Sequence, residues 1–271
     1  MPDPSLVSRP ITRVAGGALE RREDAVAVER PLEIRVDGRT VSVTLRTPGH
    51  DAELALGFLA GEGLIASRAQ VGEVVTRSAA CGDQPDAVDL ALAPGVRMDW
   101  SRLERHFAAT AACGLCGRAH LESLRAGLSP IPVTRRIEAE ALAALPARLR
   151  DAQLVFSATG GLHAAALCDA DLMPQVLRED VGRHNAVDKV AGWMLEAERY
   201  PAAGGVLWVS GRAGAEIVLK AARARIPALA AVGAPSSLAI ALAETAGVAL
   251  IGFLREGRMN LYTGAERIVA E

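Results

Sequence analysis

Apolar and polar positions change rhythm near the middle of this chain. In the first half, Leu32-Glu33-Ile34-Arg35-Val36 and Val41-Ser42-Val43-Thr44-Leu45 alternate around Asp37-Gly38, the period-2 signature of two strands joined by a tight turn. Thr47-Pro48-Gly49-His50-Asp51 stops the second strand. Asp51 is then placed to cap a helix through Leu54, Phe58 and Leu59 that Gly61 and Gly63 weaken. Val71 to Thr76 and Ala87 to Ala93 read as further strands, and a helix through Trp100, Leu103 and Phe107 leads into a glycine-rich stretch. Residues 1–20 carry prolines and charge without a period and are expected to be a flexible segment outside the fold.

From Asp151 onward, short apolar runs alternate with helical patterns. Leu154 to Ser157, Val206 to Ser210, Ala228 to Val232 and Val248 to Phe253 read as strand cores. Val187, Val190, Ala191, Met194 and Leu195 keep the i, i+3, i+4, i+7, i+8 spacing of an amphipathic helix, and helices also fit Gly214 to Ile226 and Ser237 to Ala246. This alternation predicts the α/β class, with a mostly parallel sheet covered by helices. Phe253 to Thr263 reads as a strand, a charged glycine turn and a returning strand.

Composition narrows the picture. The 271 residues suffice for one large domain or two small ones, and 50% apolar with only 3% aromatic residues predicts an aliphatic, close-packed core. A net charge of −2 with scattered basic residues argues against a nucleic-acid surface. No apolar run reaches the roughly 18 to 20 residues of a membrane span, and Met1 to Val14 has no secretory core, so a cytoplasmic protein is expected.

Two of the four cysteines stand in Cys113-Gly114-Leu115-Cys116-Gly117, which the glycines place on a mobile loop. In a reducing compartment such a pair is more often catalytic or metal-binding than structural. Arg118 and His120 supply positive charge that favours a thiolate, the nucleophilic form of sulfur. Half of a zinc site is the other reading, although no second CxxC exists and Cys81 and Cys168 stand alone.

Three polar clusters occupy expected strand-to-helix junctions: Ser157 to His163, Arg178 to Asn185, and Ser210-Gly211-Arg212. Helix N-termini beyond the carboxyl ends of parallel strands offer unpaired N–H groups to anions, so the three can form one crevice. Arg183 and Arg212 are its candidate phosphate forks, with Lys189 and Lys220 as point charges.

Taken together, these segments resemble the formate dehydrogenase accessory sulfurtransferases, the FdhD family. The resemblance runs from the first hairpin to Thr263. It rests on Thr47-Pro48-Gly49 with Gly57-Phe58-Leu59 and Glu62-Gly63, on Cys113 to Gly117, on Thr159-Gly160-Gly161-Leu162-His163, on Asp180-Val181-Gly182-Arg183-His184-Asn185-Ala186-Val187-Asp188-Lys189, on Ser210-Gly211-Arg212 and on Arg258-Met259-Asn260. It implies a carrier that takes sulfane sulfur from a cysteine desulfurase as a cysteine persulfide. The sulfur then passes to the molybdenum or tungsten of a bis(molybdopterin guanine dinucleotide) cofactor destined for formate dehydrogenase.

By position, Cys113 matches the persulfide-bearing cysteine and Cys116 its companion, while Phe253, Leu254, Arg255, Glu256, Gly257 and Arg258 match the cofactor-contacting segment. Arg183, His184, Ser210 and Arg212 complete the candidate cofactor site, and no permanently bound metal is expected. The resemblance further implies a homodimer, and a cytidine deaminase-like three-layer α/β/α domain over residues 131–271. Ahead of it stand a smaller α+β region at 21–110 and the cysteine loop at 111–130. Deaminase chemistry itself is not implied: it needs His-x-Glu and Pro-Cys-x-x-Cys, whereas Ala164-Ala165 follows His163 here. A CxxC dithiol oxidoreductase and a zinc-stabilised chaperone of a molybdoenzyme are the alternatives.

Overall fold

The computed structural model describes residues 4–78, 85–100, 127–202, 204–255 and 257–270. The expected helix through Leu103 and Phe107, both loop cysteines, Cys81 and Glu256 lie outside the described residues.

The opening of the chain corrects the expectation for residues 1–20. β1 (Leu6–Ala15) and β2 (Ala18–Ala27) pair along their whole length as an antiparallel ribbon turning at Gly16-Gly17. The ribbon is largely solvent-exposed, so its strands carry no buried apolar face for a period-2 signal to report.

A four-stranded sheet follows, in the order β4-β3-β6-β5, from β3 (Arg30–Val36), β4 (Arg39–Arg46), β5 (Val71–Arg77) and β6 (Asp86–Leu92). The expected β3–β4 hairpin turns at Asp37 and Gly38, both in the left-handed region. Leu32, Ile34, Val36, Val88 and Leu90 bury one face of this sheet under α1 (Asp51–Gly61). Asp51 does not cap that helix. His50 holds the cap position in a left-handed conformation, and the Asp51 carboxylate instead takes a bidentate hydrogen bond from the buried Arg46 at 2.9 and 2.7 Å.

The larger sheet has six strands in the order β13-β12-β11-β10-β8-β9. They are β8 (His163–Cys168), β9 (Pro174–Asp180), β10 (Val206–Val209), β11 (Ala228–Ala231), β12 (Ala249–Arg255) and β13 (Arg258–Thr263). Only β10–β11 and β11–β12 pair in parallel, β9 running the same way beyond the antiparallel β8; the β8–β9 and β12–β13 hairpins make the sheet mixed rather than mostly parallel.

One face is covered by three helices, which follow in chain order the short β7 (Ile137–Glu138), α2 (Ala139–Ala143), α3 (Leu145–Arg150) and α4 (Leu154–Thr159). These three are α5 (Arg183–Glu196), α6 (Ala215–Arg223) and α7 (Ser237–Ala246). Leu142, Leu145 and Leu149 of α2 and α3 pack with Trp208 and Ile251 on the opposite face.

Leu154 to Ser157, expected as a strand, belongs to α4. Six apolar-rich residues cannot separate the two periods, and the decision comes from Glu179, whose carboxylate accepts the N–H groups of Val155 at 3.0 Å and Phe156 at 2.8 Å. The chain closes with β14 (Ile268–Val269) beside β7. Among the described residues no helix is long and apolar enough to cross a membrane.

The two sheets are joined through α1 and α5. A Cβ on Gly57 would lie 1.7 Å from the Asp188 carbonyl oxygen and one on Gly192 1.8 Å from that of Glu53, so these backbones touch where only glycine fits. Beside the crossing, Arg178 grips Glu53 with two hydrogen bonds of 2.6 and 2.7 Å.

Candidate functional site

The Asp180 to Lys189 motif divides into a scaffold and two site residues. Asp180, with no exposed surface, accepts from the N–H of Gly182 at 2.8 Å, Asn185 Nδ2 at 2.9 Å and the N–H of Thr47 at 3.1 Å, and pairs with Lys189 Nζ at 2.7 Å. Lys189 also donates to the Thr47 carbonyl at 2.9 Å, and the Thr47 hydroxyl accepts from Val181 N–H at 3.2 Å. The Thr47-Pro48-Gly49 segment therefore locks the start of α5 in place.

This corrects the role expected of two lysines. Lys189 is spent on Asp180, and Lys220 is bonded to Asp188 at 2.6 and 2.7 Å, both lysines being buried. Neither is a free point charge for a ligand. What the motif leaves half-exposed is Arg183 and His184.

Around them the carboxyl ends of four strands meet. Ser210, after β10, exchanges backbone bonds with β8: its N–H donates to the Ala164 carbonyl and its Oγ accepts from Ala164 N–H, each at 2.9 Å. Gly233 N–H, after β11, donates to the Gly211 carbonyl at 2.9 Å, and Phe253 N–H donates to the Gly233 carbonyl at 3.1 Å. These bonds stitch the post-strand segments into one ledge. A Cβ on Gly211 would sit 3.3 Å from His163 Nδ1 and 3.8 Å from Arg183 Cδ, while one on Gly233 would meet the Gly211 oxygen at 2.9 Å. The glycines thus keep His163, Arg183 and Arg212 around a common floor.

Phe253 is exposed and holds a left-handed φ of 53°, at a bulge between Gly252 and Arg255. A bulky side chain in that region is strained, and such strain concentrates at functional positions. Arg255, Gly257 and Arg258 continue the hairpin tip exposed to solvent. Leu254 does not belong with them. It has no exposed surface and packs with Trp208 and Ile251 in the core, because the strand sends its side chain to the opposite face.

The ledge carries donors without acceptors. Arg183 Nε is buried with no hydrogen-bond partner among the described residues, an orphan donor that a ligand acceptor would satisfy. Gly214 begins α6 without a side-chain cap, leaving first-turn N–H groups available nearby. A guanine dinucleotide's phosphates fit this donor set. Among the described residues no cluster of three or more His, Cys, Asp or Glu side chains is placed to hold a metal.

Burial pushes the His163 ring below its usual range, helped by the Arg183 charge and opposed by Asp180. Burial does the same to His184, with Glu216, 3.6 Å from its Nε2, pulling the other way. A depressed imidazole makes the unfolded chain the better proton binder, so the stability tied to neutral rings is whole above the unfolded value near 6.5 and is lost as pH falls through the folded values. The melting temperature should accordingly drop between about pH 7.5 and about pH 5.5, and drop less in His163→Gln/His184→Gln. Parallel pH profiles in calorimetry would remove the assignment.

Sequence reasoning named the arginines and Ser210 but missed His163 as a site residue, although it ends the Thr159 to His163 motif, and missed Gly233 altogether. Ser157 to His163 leads from a helix into a strand rather than the reverse, because β8 runs antiparallel to β10.

A mixed sheet with arginines along a ledge beyond the carboxyl ends of its strands defines an α/β protein with its polar crevice where such folds commonly carry their ligands. The FdhD/NarQ family model matches residues 27–269, and the chain belongs to that family. It is 50% identical over 266 residues to the sulfur carrier protein FdhD of Mycolicibacterium paratuberculosis, covering 96% of this chain and 97% of that one. The sulfur carrier protein FdhD of Mycobacterium tuberculosis is 46% identical over 268 residues, with 96% and 97% covered. That of Streptomyces coelicolor is 47% identical over 266 residues, with 96% and 94% covered. A crystal structure from Desulfotalea psychrophila, of a protein whose proposed role is that of a formate dehydrogenase accessory protein, superposes with a TM-score of 0.77 at 24% identity over 98% of this chain and 100% of that one. At that identity the likeness establishes the fold.

Proposed function

We propose that this chain is a cytoplasmic sulfur carrier of the FdhD type, a sulfurtransferase that serves formate dehydrogenase by sulfurating its bis(molybdopterin guanine dinucleotide) cofactor. The observation that carries the acceptor side is the ledge itself: Arg183 with an orphan Nε, Arg212 at its edge, and the Phe253 to Arg258 hairpin beside them. The guanine dinucleotide phosphates lie against Arg183, Arg212 and the α6 N-terminus, with Ser210, His184 and the exposed Phe253, Arg255 and Arg258 closing around them. The molybdenum- or tungsten-bearing cofactor is cargo here.

On the donor side, Cys113 thiolate attacks the outer sulfur of a cysteine desulfurase persulfide, the donor thiolate leaves, and the extra sulfur stays on Cys113. Holding the cofactor fixed beside that sulfur converts delivery into an intramolecular step. Cys116 steadies the persulfide, or its thiolate attacks Cys113 Sγ so that the outer sulfur leaves as hydrosulfide and a Cys113–Cys116 disulfide remains. Residues 131–271 form the cofactor-binding, cytidine deaminase-like domain, 21–110 the smaller unit and 111–130 the sulfur-bearing loop. The working species is a homodimer.

One experiment reads both sides. The protein is incubated with desulfurase and cysteine, weighed by mass spectrometry, then titrated with GDP. A one-sulfur mass increase is expected in wild type and Cys116→Ala and absent in Cys113→Ala. GDP affinity should fall about tenfold in Arg183→Ala or Arg212→Ala, as for a charge-assisted phosphate contact. An adduct that persists without Cys113, or GDP binding indifferent to both arginines, would falsify the respective half.

A further inference from the structure

At the opposite end of the six-stranded sheet from the ledge lies a cavity of about 190 Å³, lined by Thr134, Arg135, Ile137, Val206, Pro227 and Arg267 among others. Val206 opens β10 and Pro227 precedes β11, so this space faces the amino ends of the strands whose carboxyl ends build the ledge. We propose that it is a second anion site, taking a single phosphate group, free or as the head of a small phosphorylated metabolite.

Arg267 is the reason. Its side chain is only 2% exposed, yet no carboxylate lies within 4 Å of its guanidinium among the described residues. Its Nη1 donates to the Pro132 carbonyl at 3.0 Å, and its Nη2 to those of Ile131 and, at 2.7 Å, Gly247. Of these three carbonyls only that of Gly247 stands at the carboxyl end of α7, and all of them carry only partial negative charge. Nε is buried with no hydrogen-bond partner among the described residues. An arginine cannot escape by shedding its proton, so a full positive charge stays buried against partial compensation. Burial pushes its pKa down, and only Glu266 pulls it back.

The rest of the wall suits an oxyanion. Arg135 brings a second fork, held at the mouth by an exposed pair with Asp171, and Thr134 brings a hydroxyl. Ile137, Val206 and Pro227 give an apolar wall that limits hydration and strengthens charge attraction. Gly205, at φ 94°, passes so close to β8 that a Cβ would meet the Cys168 carbonyl at 2.2 Å, and a Cβ on Gly204 would meet nothing within 4 Å, leaving that rim clear. Room for about six water molecules admits a phosphate and excludes a nucleotide. The following chain does not fill the space: β14 runs on from Arg267 beside Ile137 and Glu138, away from Thr134 and Arg135.

The ledge would also take phosphate, so the test runs on Arg183→Ala/Arg212→Ala protein, with ionic strength held constant by chloride. Inorganic phosphate should still raise the melting temperature of this variant in a saturable way. Adding Thr134→Val/Arg135→Ala, which disturbs only the cavity mouth, should weaken the fitted affinity at least tenfold. Acetate, the carboxylate probe, should stabilise at least tenfold less well than phosphate. No saturable shift, equal affinity after the mouth substitutions, or acetate matching phosphate would each overturn the phosphate site.

Discussion

Gly192→Ala will move the denaturant midpoint far below that of wild type, at a cost of about 3 kcal/mol or more. In an isolated helix the substitution favours folding by about 1 kcal/mol, so the sign rests entirely on packing. Here the added Cβ would stand 1.8 Å from the Glu53 carbonyl oxygen and 2.6 Å from Glu53 Cα, both rigid backbone atoms of α1. Neither helix can yield by rotating a side chain. Separating them would strip contacts from Leu54 and Val190 and loosen the Arg178–Glu53 bonds, a cost of about 3 kcal/mol or more out of the roughly 5–15 that a domain possesses. Denaturant titration of Gly192→Ala beside Gly72→Ala checks it. At Gly72 the nearest atom to a Cβ, the Ala91 carbonyl oxygen, is 3.6 Å away, so that control should melt near wild type. A wild-type midpoint for Gly192→Ala would show that the two helices do not touch in this way.

The second large effect concerns the buried pair Asp188–Lys220. Lys220→Met removes the side chain that, among the described residues, donates hydrogen bonds to Asp188, in a space where a Cβ on Gly61 would come within 3.1 Å of the carboxylate. A carboxylate left there without its cation costs about 3–5 kcal/mol. Replacing both members, in Lys220→Met/Asp188→Leu, should return most of that loss, since an apolar pair of similar volume needs no solvation. The signature is strong non-additivity in unfolding free energy. If the double variant is as unstable as the sum of the singles, the pair is not an isolated electrostatic unit. GDP titration of the double variant reads the ledge separately, since Lys220 reaches it only through Glu216, 3.4 Å from its Nζ and 3.6 Å from His184 Nε2.

Legibility followed the range of the deciding interaction. The β3–β4 turn, the amphipathic face of α5 and the span of α7 are written in neighbouring residues, and each appears where the pattern puts it. β8 and β9 were not read as strands. His163-Ala164-Ala165-Ala166-Leu167-Cys168 holds no β-branched residue, and its strand character comes from being clamped between β9 and β10. Lys189 and Lys220 look like ligand cations until Asp180 and Asp188 are seen against them, contacts that packing alone creates. At the site, Arg183, Ser210 and Arg212 announce themselves by residue type. His163 and Gly233 matter through the space they share with Gly211, which no local pattern encodes.

Phe253 sets the hairpin's strength against its reach. Holding an aromatic residue in the left-handed region withholds about 1–2 kcal/mol from the folded state, which a glycine there would release. The same exchange would take the exposed Phe253 ring off the ledge, so a tougher protein and, on the proposed role, a poorer holder of its cargo would arrive together in a single substitution.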